Sequence, residues 1–247
     1  MCGRYSLICI DDLCGRFRVL DPTFGFRSHF NIAPGSTNPV IVAHERAEAV
    51  MMQWGLVPRW AKSGSVWPIG FRLPVMWGQL MPHSGRDVLP ANRPINARAE
   101  NLTENTMFRD LLKENRCLVP ASGFFEWKHE GKRKVPFYIH VKDDPVFAFA
   151  GLYDSWQDAS GTILQTYTII TTAANELVAP LHDRMPVILR QDDEMRWISR
   201  GELPDDEMKR ILATYPAGKM ESYPVSERVN KPDADDEKLI EPIKGLF

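Results

Sequence analysis

The sequence predicts a mixed α/β (α+β) fold, a compact single domain with a barrel-like, largely antiparallel sheet and flanking helices. Three observations predict it. Eight strand-like runs follow one another with few helical stretches between them, which favours an antiparallel or mixed sheet that curls on itself. Residues 129–134, polar and with Gly131 near their centre, read as the turn of a hairpin joining two of those runs. The chain has 247 residues, 44% of them hydrophobic and 25% charged, a balance that supplies one sizeable core.

Taken in order, a helix is expected over residues 11–19 and a clearer one over 103–115. In the second, Thr103 is placed to cap the N-terminus, and Met107, Phe108, Leu111 and Leu112 recur at helical spacing. Strands are expected at 39–44, 49–54, 117–119, 123–128, 136–141, 146–153, 167–172 and 185–189. Residues 191–215 read as helical. Between 63 and 92, Gly64, Pro68, Gly70, Pro74, Gly78, Pro82, Gly85 and Pro90 punctuate the chain, the pattern of a long ordered loop. Trp67, Phe71 and Trp77 within it are expected to pack onto the protein's own surface. The expected organisation is one domain over 1–226, carrying that loop at 63–92, followed by an irregular acidic tail at 227–247.

Net charge is −2, without the basic excess of a typical nucleic-acid binder. Its distribution is uneven: fourteen acidic residues stand against nine basic ones from Asp192 onward, so the first 191 residues carry +3. No stretch has the apolar length to cross a bilayer, and Asp11 and Asp12 interrupt what would be a signal peptide's core. The expected location is the cytoplasm, on the nucleoid in a prokaryote. Cys2, Cys9, Cys14 and Cys117 lack paired metal-ligand spacing, so reduced thiols and no metal site are expected. There is no phosphate-binding glycine loop, zinc-protease helix, nucleophile elbow or dinucleotide fingerprint, and no cofactor is expected.

The chemistry concentrates at Met1-Cys2-Gly3-Arg4, where a small second residue favours removal of Met1. A chain starting at Cys2 carries an amine and a thiol on adjacent carbons. An α-amine titrates near 7.7–8.0, so about a tenth of it is neutral at pH 7. Such an amine adds to an aldehyde to give a Schiff base, and the thiol beside it closes a five-membered thiazolidine with the advantage of proximity. Arg4 stands where it can hold a thiolate or a phosphate. Against this, Cys2 can be no more than a residue beside a start codon.

Other signals lie elsewhere in the chain. In an extended conformation Asn96, Arg98 and Glu100 project to one face like the wall of a site. Glu126 sits inside the aromatic run Gly123-Phe124-Phe125-Glu126-Trp127, where desolvation would raise it towards acid/base duty; a solvent-facing strand position is the alternative. His182, in Leu181-His182-Asp183-Arg184-Met185-Pro186, is placed either to move protons or to serve as a hydrogen-bonded structural residue. Trp54 reads as core, whereas Trp60 beside Arg59 reads as a stacking surface for bases.

In order, Met1-Cys2-Gly3-Arg4, Asn31-Ile32-Ala33-Pro34, Trp54-Gly55-Leu56-Val57-Pro58, Asn96-Ala97-Arg98-Ala99-Glu100, Gly123-Phe124-Phe125-Glu126-Trp127 and His182-Asp183-Arg184-Met185-Pro186 resemble the SOS-response-associated peptidase family, from Met1 to about Ser226. The resemblance implies a positively charged groove and covalent capture of abasic sites in single-stranded DNA, with no membrane, metal or named protein partner. It implies Cys2 as the crosslinking nucleophile and Asn96 as the group positioning its amine or the opened sugar. Glu126 would be the general acid/base, and His182 the proton carrier for ring opening. Arg4 and Arg98 would hold phosphates, Trp60 would stack, and Asn31 and Glu100 would support the site. A thiol peptidase built on Cys2, Glu126 and His182, and a non-covalent single-stranded-DNA module, are the alternatives. Two departures stand out: the long loop at 63–92, and Thr106 where some relatives carry a basic residue before the Met-Phe pair.

Overall fold

Valine, isoleucine and aromatic residues crowd the segments that pair, and their alternation decides which face each side chain takes. The computed structural model describes residues 2–8, 13–19, 25, 27–43, 45–62 and 93–243. The loop expected at 63–92 and Cys9 lie outside the described residues. In chain order the elements are β1 (Tyr5–Leu7), α1 (Leu13–Phe17), β2 (His29–Ile32), β3 (Thr37–Ala43), β4 (Ala47–Trp54), β5 (Asn96–Arg98), α2 (Thr106–Arg109), α3 (Leu111–Glu114), β6 (Arg116–Ala121) and β7 (Gly123–Glu130). They continue with β8 (Arg133–Val141), β9 (Phe147–Gln157), β10 (Ile163–Ala173), β11 (Arg184–Pro186), α4 (Gln191–Ile198), α5 (Asp205–Ile211) and β12 (Met220–Pro224).

Five strands close on themselves. β4 pairs with β3, β3 with β6, β6 with β9 and β9 with β10, and β10 returns beside β4. Closure satisfies both edges of every strand in the ring. The last pairing is parallel, as is that of β10 with β5; every other pairing of the named strands is antiparallel, so the barrel is largely antiparallel as expected. Trp54, Phe149 and Tyr167 are buried in this unit, and Tyr5 packs its ring edge-on against Trp54 and Phe149 at 5.2 and 5.9 Å. A second sheet, in the order β12-β8-β7-β1-β2, is antiparallel throughout. Its β7–β8 hairpin turns at Gly131, whose φ of +61° suits the residue without a β-carbon.

Two expected helices are interrupted. The 103–115 segment divides into α2 and α3 at Asp110, and Asn105 replaces Thr103 as the cap by accepting from the Met107 amide at 2.9 Å. Met107, Phe108, Leu111 and Leu112 are nonetheless all buried, as their spacing requires. The 191–215 segment divides into α4 and α5, with Gly201 at φ +93° and Pro204 between them.

The acidic C-terminal segment does not hang free. Single 3-10 turns at Glu227–Asn230 and Glu237–Leu239 bury Val229 and Leu239 in a satellite core with Phe125 and Tyr138. Asn31 fastens this strap by donating to the carbonyls of Val229, Lys231 and Ala234 at 3.3, 3.0 and 2.8 Å.

A β-carbon at Gly123 would overlap the Tyr138 ring, whose hydroxyl meets Ser6 Oγ at 2.8 Å. Gly123→Ala is expected to lose about 2–4 kcal/mol in urea denaturation, because a buried ring cannot retreat without breaking that contact.

Candidate active site at the chain's N-terminus

Strand β1 is held on both sides, Tyr5 pairing with Ile32 on β2 and with Phe124 on β7, while the Phe125 amide donates to the Arg4 carbonyl at 3.0 Å. This pairing carries Cys2 inward. Its side chain is fully buried, with Sγ 3.7 Å from the Arg4 carbonyl. Asn96, at the start of β5, donates from Nδ2 to the Cys2 carbonyl at 2.9 Å. Asn96 Oδ1 is buried and has no hydrogen-bond partner among the described residues.

Side chains alternate along β7, so Glu126 shares the face of Phe124 towards the main core, while Phe125 and Trp127 face the C-terminal strap. Glu126 is 3% exposed, and burial pushes its carboxyl up to about 7, against the pull of the chain's positive N-terminus. Burial, then the charge of Glu126, pushes the Cys2 thiol well above its ordinary range. His182 lies in the turn before β11, half-buried. Its Nδ1 accepts the Arg184 amide at 2.9 Å, which leaves the proton of the neutral ring on Nε2. Asp183 Oδ1 stands 2.8 Å from the same nitrogen and is the partner when Nδ1 is protonated. Burial, then the N-terminal charge, holds His182 below its usual value, with Asp183 opposing.

The remaining expected residues are distributed differently. Arg4 is buried, with Nη1 donating to Asn31 Oδ1 at 2.8 Å and to the Val229 carbonyl at 3.2 Å. It faces the strap, as does Asn31. Arg98 is exposed at the end of β5, and Glu100 follows in a 3-10 turn instead of continuing the strand. Trp60 is 56% exposed. With Arg59, Thr106, Lys113, Asn115 and Asp154 it borders an open cleft of about 370 Å³. Arg59 is braced there by Asp154, which accepts from its amide at 2.8 Å and its Nε at 3.0 Å. The sequence reading gave Arg184 no role. Its guanidinium grips both oxygens of Glu100 at 2.7 and 2.8 Å, and the signal available was its position two residues after His182, on the same side of an extended segment.

Fold and site together define a class of protein: a closed five-stranded barrel beside an antiparallel sheet that buries Cys2, with Asn96 bonded to the Cys2 carbonyl and the buried Glu126 acting on its thiol. The chain belongs to the family described as SOS response associated peptidase (SRAP), which it matches over residues 1–232. It is 37% identical to the abasic site processing protein YoqW of Bacillus subtilis, over 98% of this chain and 99% of that protein. It is 30% identical to the abasic site processing protein YedK of Escherichia coli, over 87% of this chain and 84% of that protein. A solved structure from Bacteroides thetaiotaomicron superposes with a TM-score of 0.80 at 26% identity, covering 98% of this chain and all of that one.

Two outcomes follow from the geometry. Glu126 has a folded-state value raised from 4.5 to about 7, so its ionisation opposes folding. Below about pH 4.5 it costs nothing, the cost grows as pH rises towards 7, and it is complete above. Glu126→Gln should therefore stabilise the protein by about 2–3 kcal/mol at pH 8 and leave it unchanged at pH 4, as read by denaturant midpoints. Asn31→Ala removes the acceptor of Arg4 and the donor to three strap carbonyls, and limited proteolysis should then cut within 226–243 far faster than in the parent.

Proposed function

We propose that the chain, once Met1 is removed, captures abasic sites in single-stranded DNA through a covalent bond to Cys2. The observation that carries this reading is the burial of Cys2 with Asn96 bonded to its carbonyl and the Glu126 charge acting on its thiol. The names of the relatives, abasic site processing proteins, support it.

His182 moves a proton as the closed sugar opens to its aldehyde. The Cys2 amine, with Asn96 Oδ1 accepting one of its hydrogens, adds to the aldehyde carbon to form a carbinolamine. Glu126, poised near pH 7 by burial, protonates the departing hydroxyl; water leaves and the Schiff base forms. The Schiff base forms as its iminium; the thiol, kept protonated by its burial, then gives its proton to the Glu126 carboxylate as sulfur bonds to the iminium carbon, which restores the acid and leaves the ring nitrogen neutral with the hydrogen it already carried. The product is a thiazolidine, and one water is released overall. Arg98 holds a neighbouring phosphate and Trp60 stacks on a flanking base. Arg4, expected at a phosphate, acts in the resting protein from beneath, through Asn31 and the strap.

The same three groups suit hydrolysis of the bond after Met1, which the family description favours as a second reading. Cleavage of an added N-terminal extension that is lost on Glu126→Ala would support it.

Protein confirmed by intact mass to begin at cysteine should convert an abasic single-stranded oligonucleotide to a denaturation-resistant adduct of summed mass less one water, and Cys2→Ala should form none. The rate should rise as the amine loses its proton and fall as Glu126 ionises above about pH 7. Glu126→Gln should slow capture by about 10²-fold and remove the falling limb. Mature protein that leaves the lesion untouched sinks this reading.

A further inference from the structure

The turn carrying His182 is fastened to the strand carrying Asn96 by an ion pair that passes over the end of β10. Thr171 on β10 pairs with Arg98 of β5 on one side and with Pro186 of β11 on the other, so those two short strands flank it. Arg184 opens β11. From there its guanidinium donates to the Thr171 carbonyl at 2.6 Å and reaches across to Glu100, in the turn that continues β5, at 2.7 and 2.8 Å. The amide of this same Arg184 is the donor to His182 Nδ1.

We propose that Glu100 and Arg184 are positioning residues, whose two-pronged ion pair sets the placement of the His182 ring relative to Asn96 and Cys2. This rests on the reading of the Cys2 site given above. The Arg184 side chain is 11% exposed and that of Glu100 50%, so removing the carboxylate leaves a mostly buried cation with the Thr171 oxygens as its remaining partners. Arg184 Nε is already buried without a hydrogen-bond partner among the described residues, so the guanidinium has no spare contact to fall back on. A cation in that position moves towards water and takes the first residue of β11 with it. β11 pairs with β10 through three residues; the turn itself is held on its N-terminal side by the His182 amide donating to the Val178 carbonyl at 3.0 Å and on its other side by the Ala174 amide donating to the Asp183 carbonyl at 3.0 Å, so the Arg184 anchor acts on the side that leads into β11. The Arg184 bond holds Glu100 below the usual carboxylate range, so the pair persists through neutral pH, where capture would operate. Among the described residues, Asp183 and Arg184 are charges that act on His182, the first raising it and the second lowering it.

The test follows the His182 ring by NMR titration in the full chain, and in parallel measures the pH profile of adduct formation with an abasic single-stranded oligonucleotide. Glu100→Gln should raise the His182 midpoint towards its ordinary value, as the ring becomes more exposed. Capture should slow about tenfold with its pH profile displaced, and Glu100→Asp should restore most of both. Should Glu100→Gln not fold, Arg184→Lys, which keeps the charge but cannot make a two-pronged contact, carries the same expectation. An unchanged His182 midpoint and pH profile in a variant that has merely lost stability overturns the proposal. If the parent protein forms no adduct, the Cys2 reading fails while the His182 titration still decides the positioning claim.

Discussion

The hydrogen bond from Asn96 Nδ2 to the Cys2 carbonyl crosses the boundary between two sheets. Cys2 and Glu126 belong to the β12-β8-β7-β1-β2 sheet, carried by β1 and β7, while Asn96 and His182 belong to the side of the barrel. Neither sheet holds a complete set. Their alignment is therefore the condition on which the site rests, and a second contact enforces it: the hydroxyls of Tyr5 on β1 and Tyr167 on β10 meet at 2.7 Å, with Asn38 donating to Tyr167 at 3.2 Å. Buried hydroxyls that satisfy one another tolerate little sliding, because a displaced pair leaves two polar groups unpaired in an apolar core.

Holding a chain's first residues inside a protein opposes a general tendency, since termini fray unless something ties them down. Here the other end of the chain does part of the tying. The Arg4 guanidinium and Asn31 together reach Val229, Lys231 and Ala234, so the strap lies against the segment that delivers Cys2. The acidic residues of that strap are used as well: Asp235 accepts from the Phe30 amide at 2.5 Å and meets His29 at 2.9 Å, and Asp236 accepts from Arg228. The excess negative charge read from the sequence is thus partly consumed in fixing β2.

Much of the barrel was legible because its strands are long and their apolar residues regular, as in β3, β4, β9 and β10. The strands β1, β2 and β12 were not, being three to five residues long and containing Ser6, His29, Asn31 and Glu221. Their pairing is decided by distant partners, which local pattern does not encode. The late start of the 103–115 helix is local instead, for Asn105 captures the Met107 amide that a helix begun at Thr103 would leave to the backbone. At the site, Cys2 and Glu126 stood out through the rarity of an N-terminal cysteine and of a carboxylate among aromatics. Arg4 read as a ligand for anions, a cation beside a nucleophile; its donation to the Asn31 amide oxygen and the Val229 carbonyl depends on residues 27 and 225 positions away, which local pattern does not reveal. The Glu100–Arg184 pair was invisible, since 84 residues separate its members.

Two buried groups of the candidate site are shifted by the same means. Burial raises the thiol of Cys2 and the carboxyl of Glu126 alike, with the Glu126 charge adding to the rise of the thiol and the Asp183 charge to that of Glu126. An uncharged thiol and an uncharged acid are far less costly to bury than a thiolate and a carboxylate. A protonated thiol is also a poor target for oxidation, which requires thiolate character. Charge is then created at this site only when a partner arrives to share the proton. Under the function proposed above this arrangement has a use: the burial that keeps the Cys2 thiol protonated is of the same kind as the burial that brings Glu126 to about 7, where a carboxyl can both give and take a proton.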